Sequence, residues 1–271
     1  MAITIGSNIA SLQAQRRLTN ATDALQNTYE RLSSGQRINK ASDDAAGLAI
    51  ADSLRADQRI ATVAVRNAND GISVVAIADG ALAQISSVLT RLAELSEQSA
   101  NGVFSTQQRS ALQNEFSALG SEIERIAVTT TFNGVKLLSG GSSITLQVGF
   151  NSGSVSQIQI TNVQGTLAAL GLAGSGNNGS VLTYSISGTS IDEGQSASRA
   201  ALDAINGAIG SLSQTRGNLG AAESRLRVAI DNLSVARENF AAAESRIRDV
   251  DVASEAAELT RLSILQQAGA A

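Results

Sequence analysis

Apolar residues recur every seven positions along two long stretches of the chain, and this spacing limits the possible folds more than any other feature. The first repeat runs through Leu54, Ala61, Ala68, Val75, Leu82 and Leu89. The second runs through Ile205, Leu212, Leu219, Leu226, Leu233, Phe240 and Ile247. Such a repeat is typical of helices that bury one stripe against a partner helix. We therefore predict two long helices, over about residues 42–101 and 196–249, packed along these stripes.

A turn-like motif interrupts the first stretch at "RNANDGISVV", residues 66–75. Asn-Asp-Gly is typical of a turn. The seven-residue repeat nevertheless passes through the motif without changing phase, which the two-residue period of a strand does not allow. We predict that the segment is helical. Gly71 then marks either a close approach of another backbone or a local kink, because glycine costs a helix about 1 kcal/mol relative to alanine.

A third helix and a β-hairpin are predicted between the two long helices. Ser105 and Gln108 have the spacing of a capping box, and they precede an apolar stripe at Leu112, Phe116, Leu119, Ile123 and Ile126. "SITLQVGF" alternates Ile144, Leu146, Val148 and Phe150 inward, and "VSQIQI" follows with Ile158 and Ile160. "VLTYSIS" predicts one further strand. The predicted fold is mainly α, an elongated bundle of long coiled-coil-like helices formed by both chain ends, with a small, exposed β-rich insertion in the middle.

Apolar stripes also mark both ends of the chain. The N-terminal stripe consists of Ile5, Ile9, Leu12, Leu18, Leu25 and Leu32, and the C-terminal stripe of Val252, Ala256, Leu259 and Leu262. A helix with so narrow a stripe is marginal in water on its own. We expect the two stripes to pack on each other or on other chains.

Composition excludes several classes of function. The 271 residues contain no Pro, Cys, His or Trp, so thiolate metal sites and histidine general bases are excluded. The net charge is −4 and no basic block is present, which argues against nucleic-acid binding. We find no secretory signal and no run of 18 apolar residues, so we expect no membrane insertion. The sequence predicts no enzyme, no cofactor and no metal.

Two acidic pairs are candidate sites. Asp43 and Asp44 lie near Arg37 and Lys40, and a paired carboxylate can serve in acid–base catalysis. Asp249 and Asp251 could hold a cation, but the sequence offers no third or fourth ligand. We interpret the first pair as helix-capping residues and the second as part of a solvated charged rim. Ser and Thr residues of the insertion could carry O-linked sugars, and the sequence leaves that question open.

Several long motifs, in order, closely resemble bacterial flagellin, the subunit of the flagellar filament. They are "ERLSSGQRINKASDDAAGLAIADSLRA", "RNANDGISVV", "LAELSEQSANG", "TFNGVKLL", "LGAAESRL" and "ILQQAGAA". The resemblance covers both ends of the chain and implies a structural subunit, exported unfolded by the flagellar type III apparatus, that polymerises outside the cell for swimming motility. A hook-filament junction protein and a flagellin-related surface adhesin are the alternatives. A flagellin carrying a metalloprotease is excluded, because the chain has no His.

The resemblance also implies a domain organisation. Residues 1–42 with 250–271 would form terminal helices of the filament core, residues 43–140 with 190–249 a long-helix shaft, and residues 141–189 an outward-facing β insertion. Flagellins usually continue past "ILQQAGAA" with a short helical run, so we expect the C-terminal partner of the innermost helix to be shortened. Implied partners are other copies of the chain, an export chaperone, the filament cap and the junction proteins.

Three groups of functional residues follow. We expect subunit assembly to use Ile5, Ile9, Leu12, Leu18, Leu25, Leu32, Leu259 and Leu262. We expect shaft packing to use Leu54, Gly71, Leu82, Leu89, Leu226, Leu233 and Phe240. In similar flagellins the host Toll-like receptor that senses flagellin recognises an Arg, a Leu one turn later and a Glu on the next helix; the matching residues here are Arg91, Leu95 and Glu115. Arg91 and Leu95 are i, i+4 neighbours, so we expect them to share one helix face that points away from the buried Leu92. We expect the carboxylate of Glu115 to lie exposed at the edge of the apolar stripe of its own helix.

Overall fold

The structure is a computed structural model, and it describes residues 8–140, 143–161, 163–173 and 181–270. Helices dominate this part of the chain: α1 (Ile9–Ser34), α2 (Ala45–Ala100), α3 (Thr106–Thr129), α4 (Ile191–Arg248) and α5 (Val252–Ala270). The strands are short: β1 (Thr131–Phe132), β2 (Val135–Lys136), β3 (Ile144–Gln147) and β4 (Gln157–Ile160). The predicted mainly α fold with long helices from both ends and a small β region between them is confirmed.

The chain divides into two compact units. Residues 1–62 and 234–271 form the terminal unit, and residues 63–233 form the central unit. The terminal unit therefore contains α1 and α5 with the adjoining parts of α2 and α4. The central unit contains the rest of α2 and α4, together with α3 and all four strands.

The seven-residue repeats form the core of the central unit. On α2, Leu82, Ile85, Leu89 and Leu92 are completely buried. The same cluster takes Phe116 and Ile123 from α3, and Ile205, Leu212, Leu219 and Leu226 from α4. Residues 66–75 are helical, as the unbroken repeat predicted. Burial of this apolar surface is the main source of stability, because each square ångström removed from water contributes about 25 cal/mol.

Gly71 is a close-contact position in this core, but the neighbours are side chains rather than a backbone. A Cβ at residue 71 would overlap Cδ1 of Leu146 and would lie 3.3 Å from Cδ1 of Leu226. Leu146 comes from β3 and Leu226 from α4. The sequence prediction of a close approach is therefore right about the position, and the prediction of an approaching backbone is wrong.

The two β-hairpins are antiparallel. Strands β3 and β4 pair from Ile144 with Ile160 to Gln147 with Gln157, as the alternating pattern predicted. Val148, Ile158 and Ile160 are buried, whereas Phe150 was expected to point inward and is 37% exposed. Strand β3 ends at Gln147, so the alternation that would bring Phe150 inward does not continue to that residue.

The strand predicted from "VLTYSIS" is not formed. Residues 181–187 contain only an isolated bridge, between Ala173 and Leu182. The backbone of Ile186 bonds to helix side chains instead: its N–H donates to Oε1 of Gln113 at 2.7 Å, and its carbonyl accepts from the Ser99 hydroxyl at 2.6 Å. Side chains of α2 and α3 thus satisfy the groups that a strand partner would otherwise bind.

The middle of the chain is not the exposed insertion that its composition suggested. Within residues 141–189, Ile158, Ile160, Leu167, Leu172 and Ile186 are buried and belong to the same core as the helices. Their apolar side chains need a partner surface, because a two-stranded hairpin is only marginally stable in water. The central helices provide that surface.

In the terminal unit, α1 and α5 run antiparallel. Arg31 of α1 lies 4.0 Å from Glu255 at the start of α5, and Gly269 near the end of α5 lies against Leu18 of α1. The segments that adjoin these helices are tied by backbone bonds. Arg37 N–H donates to the Arg248 carbonyl at 2.6 Å, and Val250 N–H donates to the Gly35 carbonyl at 3.1 Å. These ties explain how two marginal helices are held side by side.

Helix α2 also has the length and composition of a membrane-spanning helix, because it contains an 18-residue window of mean hydropathy 1.7. A helix that buries an apolar stripe within a protein core has the same properties. Helix α2 buries such a stripe in the core that it shares with α3 and α4, and 33% of the hydropathic window is buried.

Candidate functional site

The residues predicted for assembly differ in exposure along the terminal helices. Ile9 is 64% exposed and Leu12 is 54% exposed, whereas Leu262 is buried. The intermediate members are half-buried, and they are Leu18, Leu25, Leu32 and Leu259. Ile5 lies outside the described residues. The α1–α5 pair therefore buries the middle of the N-terminal stripe and leaves its first described turn in water.

Helix α5 adds two exposed apolar residues that sequence reasoning missed. Ile264 is 60% exposed and Leu265 is 47% exposed. They follow Leu262, which faces α1, and a helix turns by about 100° per residue, so they point to a different side. The sequence contained a signal for them, because the adjacent apolar residues of "SILQQ" cannot all lie on the same stripe of a helix as Leu262.

The predicted shaft-packing residues are buried at the centre of the repeats and less so towards the ends. Leu82, Leu89 and Leu226 are completely buried, and Leu233 is buried as well. Leu54 and Phe240 lie in the terminal unit and are half-buried. The repeat thus identified the packing stripe correctly, but it does not report how completely each position is covered.

Arg91 and Glu115 form an exposed ion pair between α2 and α3. Arg91 Nε donates to Glu115 Oε1 at 2.9 Å, and Arg91 Nη1 donates to Glu94 Oε2 at 3.0 Å. The bonds to Glu94 and Glu115 raise the pKa of the Arg91 guanidinium. Both partners of the Arg91–Glu115 pair are about half exposed, so the pair adds little to stability. It presents both charges at one point on the surface.

Leu95 does not lie on that exposed surface, and the expectation that it would is wrong. Its side chain is completely buried, like that of Leu92. Leu92, Leu95, Ser96 and Ser99 stand at i, i+3, i+4 and i+7 and share the buried face of α2. Arg91 lies at the edge of this buried face, and Leu95, one turn later, lies within it. Leu95 therefore supports the exposed pair from beneath.

One member of each acidic pair caps a helix, Asp44 at α2 and Asp251 at α5, and Asp43 binds the loop before α2. Asp44 Oδ1 accepts from Gly47 N–H at 2.9 Å, ahead of the first turn of α2. Asp43 Oδ2 accepts from the N–H groups of Asn39 and Lys40. The bond from Lys40 and, to a smaller extent, the bond from Asn39 lower the pKa of the Asp43 carboxyl. Asp251 Oδ1 accepts from the N–H groups of Ala253 and Ser254 at the start of α5. Among the described residues no group of three or more potential metal ligands occurs.

A buried arginine that sequence reasoning missed lies where α2, α3 and α4 meet. Arg109 is completely buried. Its guanidinium donates to three backbone carbonyls: Nε to Ser99 at 2.8 Å, Nη2 to Asn101 at 2.9 Å and Nη1 to Ile191 at 2.9 Å. The spacing held a signal, because Arg109 stands three residues before Leu112 and so continues the apolar stripe of α3. The guanidinium closes the C-terminal end of α2, where carbonyls lack helical partners.

The described surfaces are those of a helical structural protein. Exposed apolar residues lie on the paired terminal helices, and the candidate catalytic carboxylates, Asp43 and Asp44, bind backbone N–H groups of a loop and of a helix start. Residues 5–143 match the model of the bacterial flagellin N-terminal helical region, and residues 202–271 match that of the C-terminal helical region. The chain belongs to the bacterial flagellin family. Flagellins are structural proteins and not enzymes.

Individual relatives agree with this assignment. The chain is 50% identical over 165 residues to polar flagellin F of Vibrio parahaemolyticus, an alignment that covers 60% of this chain and 44% of the relative. It is 42% identical over 268 residues to a flagellin of Halalkalibacterium halodurans, covering 98% of this chain and 93% of the relative. The chain therefore spans less than half of the Vibrio relative and nearly all of the Halalkalibacterium one.

One solved structure, entitled "Crystal structure of Bacillus cereus flagellin", aligns with a TM-score of 0.49 and 24% identity. The alignment covers 62% of this chain and 88% of that chain.

Proposed function

We propose that this chain is the structural subunit of an extracellular bacterial flagellar filament, which it builds by polymerising with copies of itself for swimming motility. The exposed apolar residues on the paired terminal helices, Ile9, Leu12, Ile264 and Leu265, carry this proposal. Their burial between subunits would contribute about 25 cal/mol per Å². Contacts between unlike surfaces of successive subunits that do not close into a ring produce an open helix.

The family supports the remaining parts of the proposal. The chain would be exported unfolded by the flagellar type III apparatus, with an export chaperone, the filament cap and the hook-filament junction proteins as partners. Residues 1–42 with 250–271 would form the filament core, residues 43–140 with 190–249 the shaft, and residues 141–189 the outward face. A hook-filament junction protein remains the alternative. Such a protein would bind filament ends without extending them, so growth of filament seeds distinguishes the two functions.

Seeded polymerisation tests the proposal. The purified chain is added to filament fragments, and growth is followed by electron microscopy. The chain should extend the seeds, and a chain lacking residues 1–32 should stay folded and monomeric. The substitutions Ile9→Asp and Leu12→Asp should raise the critical concentration. A matched control is Val155→Asp, which changes a fully exposed residue outside the terminal helices. Undiminished growth of the truncated chain would refute the role of the terminal stripe.

We further propose that the surface around Arg91 and Glu115 is recognised by the host Toll-like receptor that senses flagellin. The observation in its favour is that both side chains are exposed and that their ion pair brings α2 and α3 together at one point. Leu95 would contribute by supporting this surface, since its own side chain is buried. An arginine at the centre of an interface is a typical hot spot, worth about 2 kcal/mol or more.

The test is a titration with the purified receptor ectodomain. Arg91→Ala should weaken binding at least about tenfold, the equivalent of about 1.4 kcal/mol, with little change in thermal stability. Arg125→Ala is the matched control, because Arg125 is an exposed arginine of α3 that is paired with Glu122. Equal affinities of wild type and Arg91→Ala would show that the receptor does not use this surface.

A further inference from the structure

Asn101 and Gly102 form the turn that follows α2, and the groups around them favour an intramolecular reaction. Arg109 Nη2 donates to the backbone carbonyl of Asn101 at 2.9 Å. Val103 N–H donates to the side-chain Oδ1 of Asn101 at 3.2 Å. Both residues of the Asn-Gly pair are exposed to water. A Cβ at residue 102 would lie 2.7 Å from Nε2 of Gln195, so glycine fits this position without displacing a neighbour.

We propose that Asn101 is a self-modifying site, at which the folded chain accelerates conversion of Asn101 to a succinimide and then to aspartate or isoaspartate. Solvent hydroxide removes the proton from Gly102 N–H. The nitrogen attacks Cγ of Asn101, so that an N–Cγ bond forms and an electron pair moves onto Oδ1. That pair returns as the Cγ–Nδ2 bond breaks, and Nδ2 takes a proton from water and leaves as ammonia. Water then opens the succinimide at either carbonyl.

The guanidinium of Arg109 favours the first step. When Gly102 N–H gives up its proton, negative charge spreads onto the Asn101 carbonyl oxygen, the atom to which Nη2 already donates. Hydrogen bonds between charged partners are stronger than those to a neutral carbonyl. No carboxylate of the described residues forms an ion pair with Arg109, and its acceptors are neutral carbonyls. A buried and uncompensated cation gains most when an acceptor becomes negative.

The Val103 N–H favours the second step. Its hydrogen bond to Oδ1 folds the Asn101 side chain back over the following peptide, as in an Asx turn. The same N–H points at the oxygen that becomes negative when Gly102 N attacks Cγ. Hydrogen-bond donors that already point at the oxygen where negative charge develops are a common source of catalytic acceleration. The Asn101 carbonyl oxygen accepts from Arg109 Nη2 and from Phe104 N–H at 3.4 Å, and Oδ1 accepts from Val103 N–H, so both oxygens that become negative already have donors.

Two other Asn-Gly pairs in the described chain serve as internal comparisons. Asn133–Gly134 is the exposed turn between β1 and β2, and its carbonyl has no guanidinium donor among the described residues. Asn206–Gly207 lies inside α4, where the helix holds the glycine nitrogen away from the side chain. A fourth pair, at residues 178–179, lies outside the described residues. Folded protein should therefore react fastest at Asn101 and slowest at Asn206.

Peptide mass spectrometry measures all three sites in one sample. Trypsin releases residues 92–109, 126–136 and 200–216, each with a single asparagine. The protein is incubated in mildly alkaline buffer, once folded and once in urea, and the converted fraction of each peptide is followed with time. Asn101 should react about tenfold faster in the folded chain than in urea, whereas Asn206 should react more slowly when folded. Removing one oxyanion donor from an enzyme lowers the rate by ~10²–10³. We expect a smaller factor at Asn101 because this site is exposed to water.

The substitution Arg109→Met tests the role of the cation, with Arg125→Met as the matched control on the same helix. In Arg109→Met the reaction at Asn101 should slow about tenfold, and the rate at Asn133 should not change. This substitution removes a trypsin site, so Asn101 is then measured in residues 92–125, where fragmentation distinguishes it from Asn114. Equal rates at Asn101 in the two variants would overturn the role of Arg109. Should Arg109→Met fail to fold, the wild-type comparison decides alone. An Asn101 rate in the folded chain that equals or falls below the rate in urea would overturn the whole proposal.

Discussion

Gly71 offers a test of packing against helix propensity, because the two make opposite predictions for the substitution Gly71→Leu. Leucine is about 1 kcal/mol better than glycine within a helix. At residue 71, however, the first added carbon overlaps Cδ1 of Leu146 and lies 3.3 Å from Cδ1 of Leu226. The rest of the leucine side chain has to displace both neighbours. Overpacking of this kind costs about 1 to 3 kcal/mol, so the net effect should be a loss of up to about 2 kcal/mol.

Gly80 is the matched control, because it lies on the same helix and a Cβ there meets no atom within 4 Å. Gly80→Leu should stabilise the protein by up to about 1 kcal/mol, since only propensity changes. For a domain of this size about 1 kcal/mol shifts the midpoint of thermal unfolding by roughly 2–4 °C. We expect the midpoint to fall in Gly71→Leu and to rise in Gly80→Leu.

A second substitution locates the conflict. Leu146→Ala removes the side chain that the new leucine displaces, so it should cost less stability in the Gly71→Leu background than in the wild type. Calorimetry of the four proteins gives this coupling. An unfolding midpoint of Gly71→Leu that rises as much as that of Gly80→Leu would show that residue 71 is not a close-contact position.

Three further predictions concern polar groups. Arg109→Met leaves the carbonyls of Ser99, Asn101 and Ile191 without their donor and should cost about 1–3 kcal/mol in chemical denaturation; an unchanged midpoint would contradict a structural role for the guanidinium. Asp251→Ala removes the cap of α5 and should cost about 0.5–2 kcal/mol, seen as faster hydrogen exchange in the first turn of α5 and nowhere in α3. The hydrogen bond from Arg216 lowers the pKa of the Asp79 carboxyl. This pair therefore stabilises the fold above the usual Asp value of 3.8 and loses its effect as the pH falls through the lower folded-state value. The effect should be under about 1 kcal/mol because the pair is exposed, and Asp79→Asn should abolish that part of the acid dependence.

The long helices and the stripe along which they pack could be predicted from the amino-acid sequence alone. Helical periodicity is a local property, since it depends only on which residues follow one another at intervals of three and four. The repeat therefore carried residues 66–75 into α2 despite their turn-like letters, and Ser105 with Gln108 marked the start of α3, where both bonds of the capping box are present. The cap that Asp44 forms at the start of α2 was predictable for the same reason, whereas Asp251, interpreted from the sequence as part of a charged rim, caps α5.

Only the tertiary structure decided which residues face a partner and which face water. Leu95 and Ile186 became buried, and Phe150 became exposed, because burial depends on segments that lie far away in the chain. The strand expected at residues 181–187 was lost to the hydroxyl of Ser99 and the amide of Gln113, which no local pattern could foretell. Arg109 is the clearest case: its charge suggests the surface, and only the meeting of three carbonyls, two from the end of α2 and one from the start of α4, explains why it is buried.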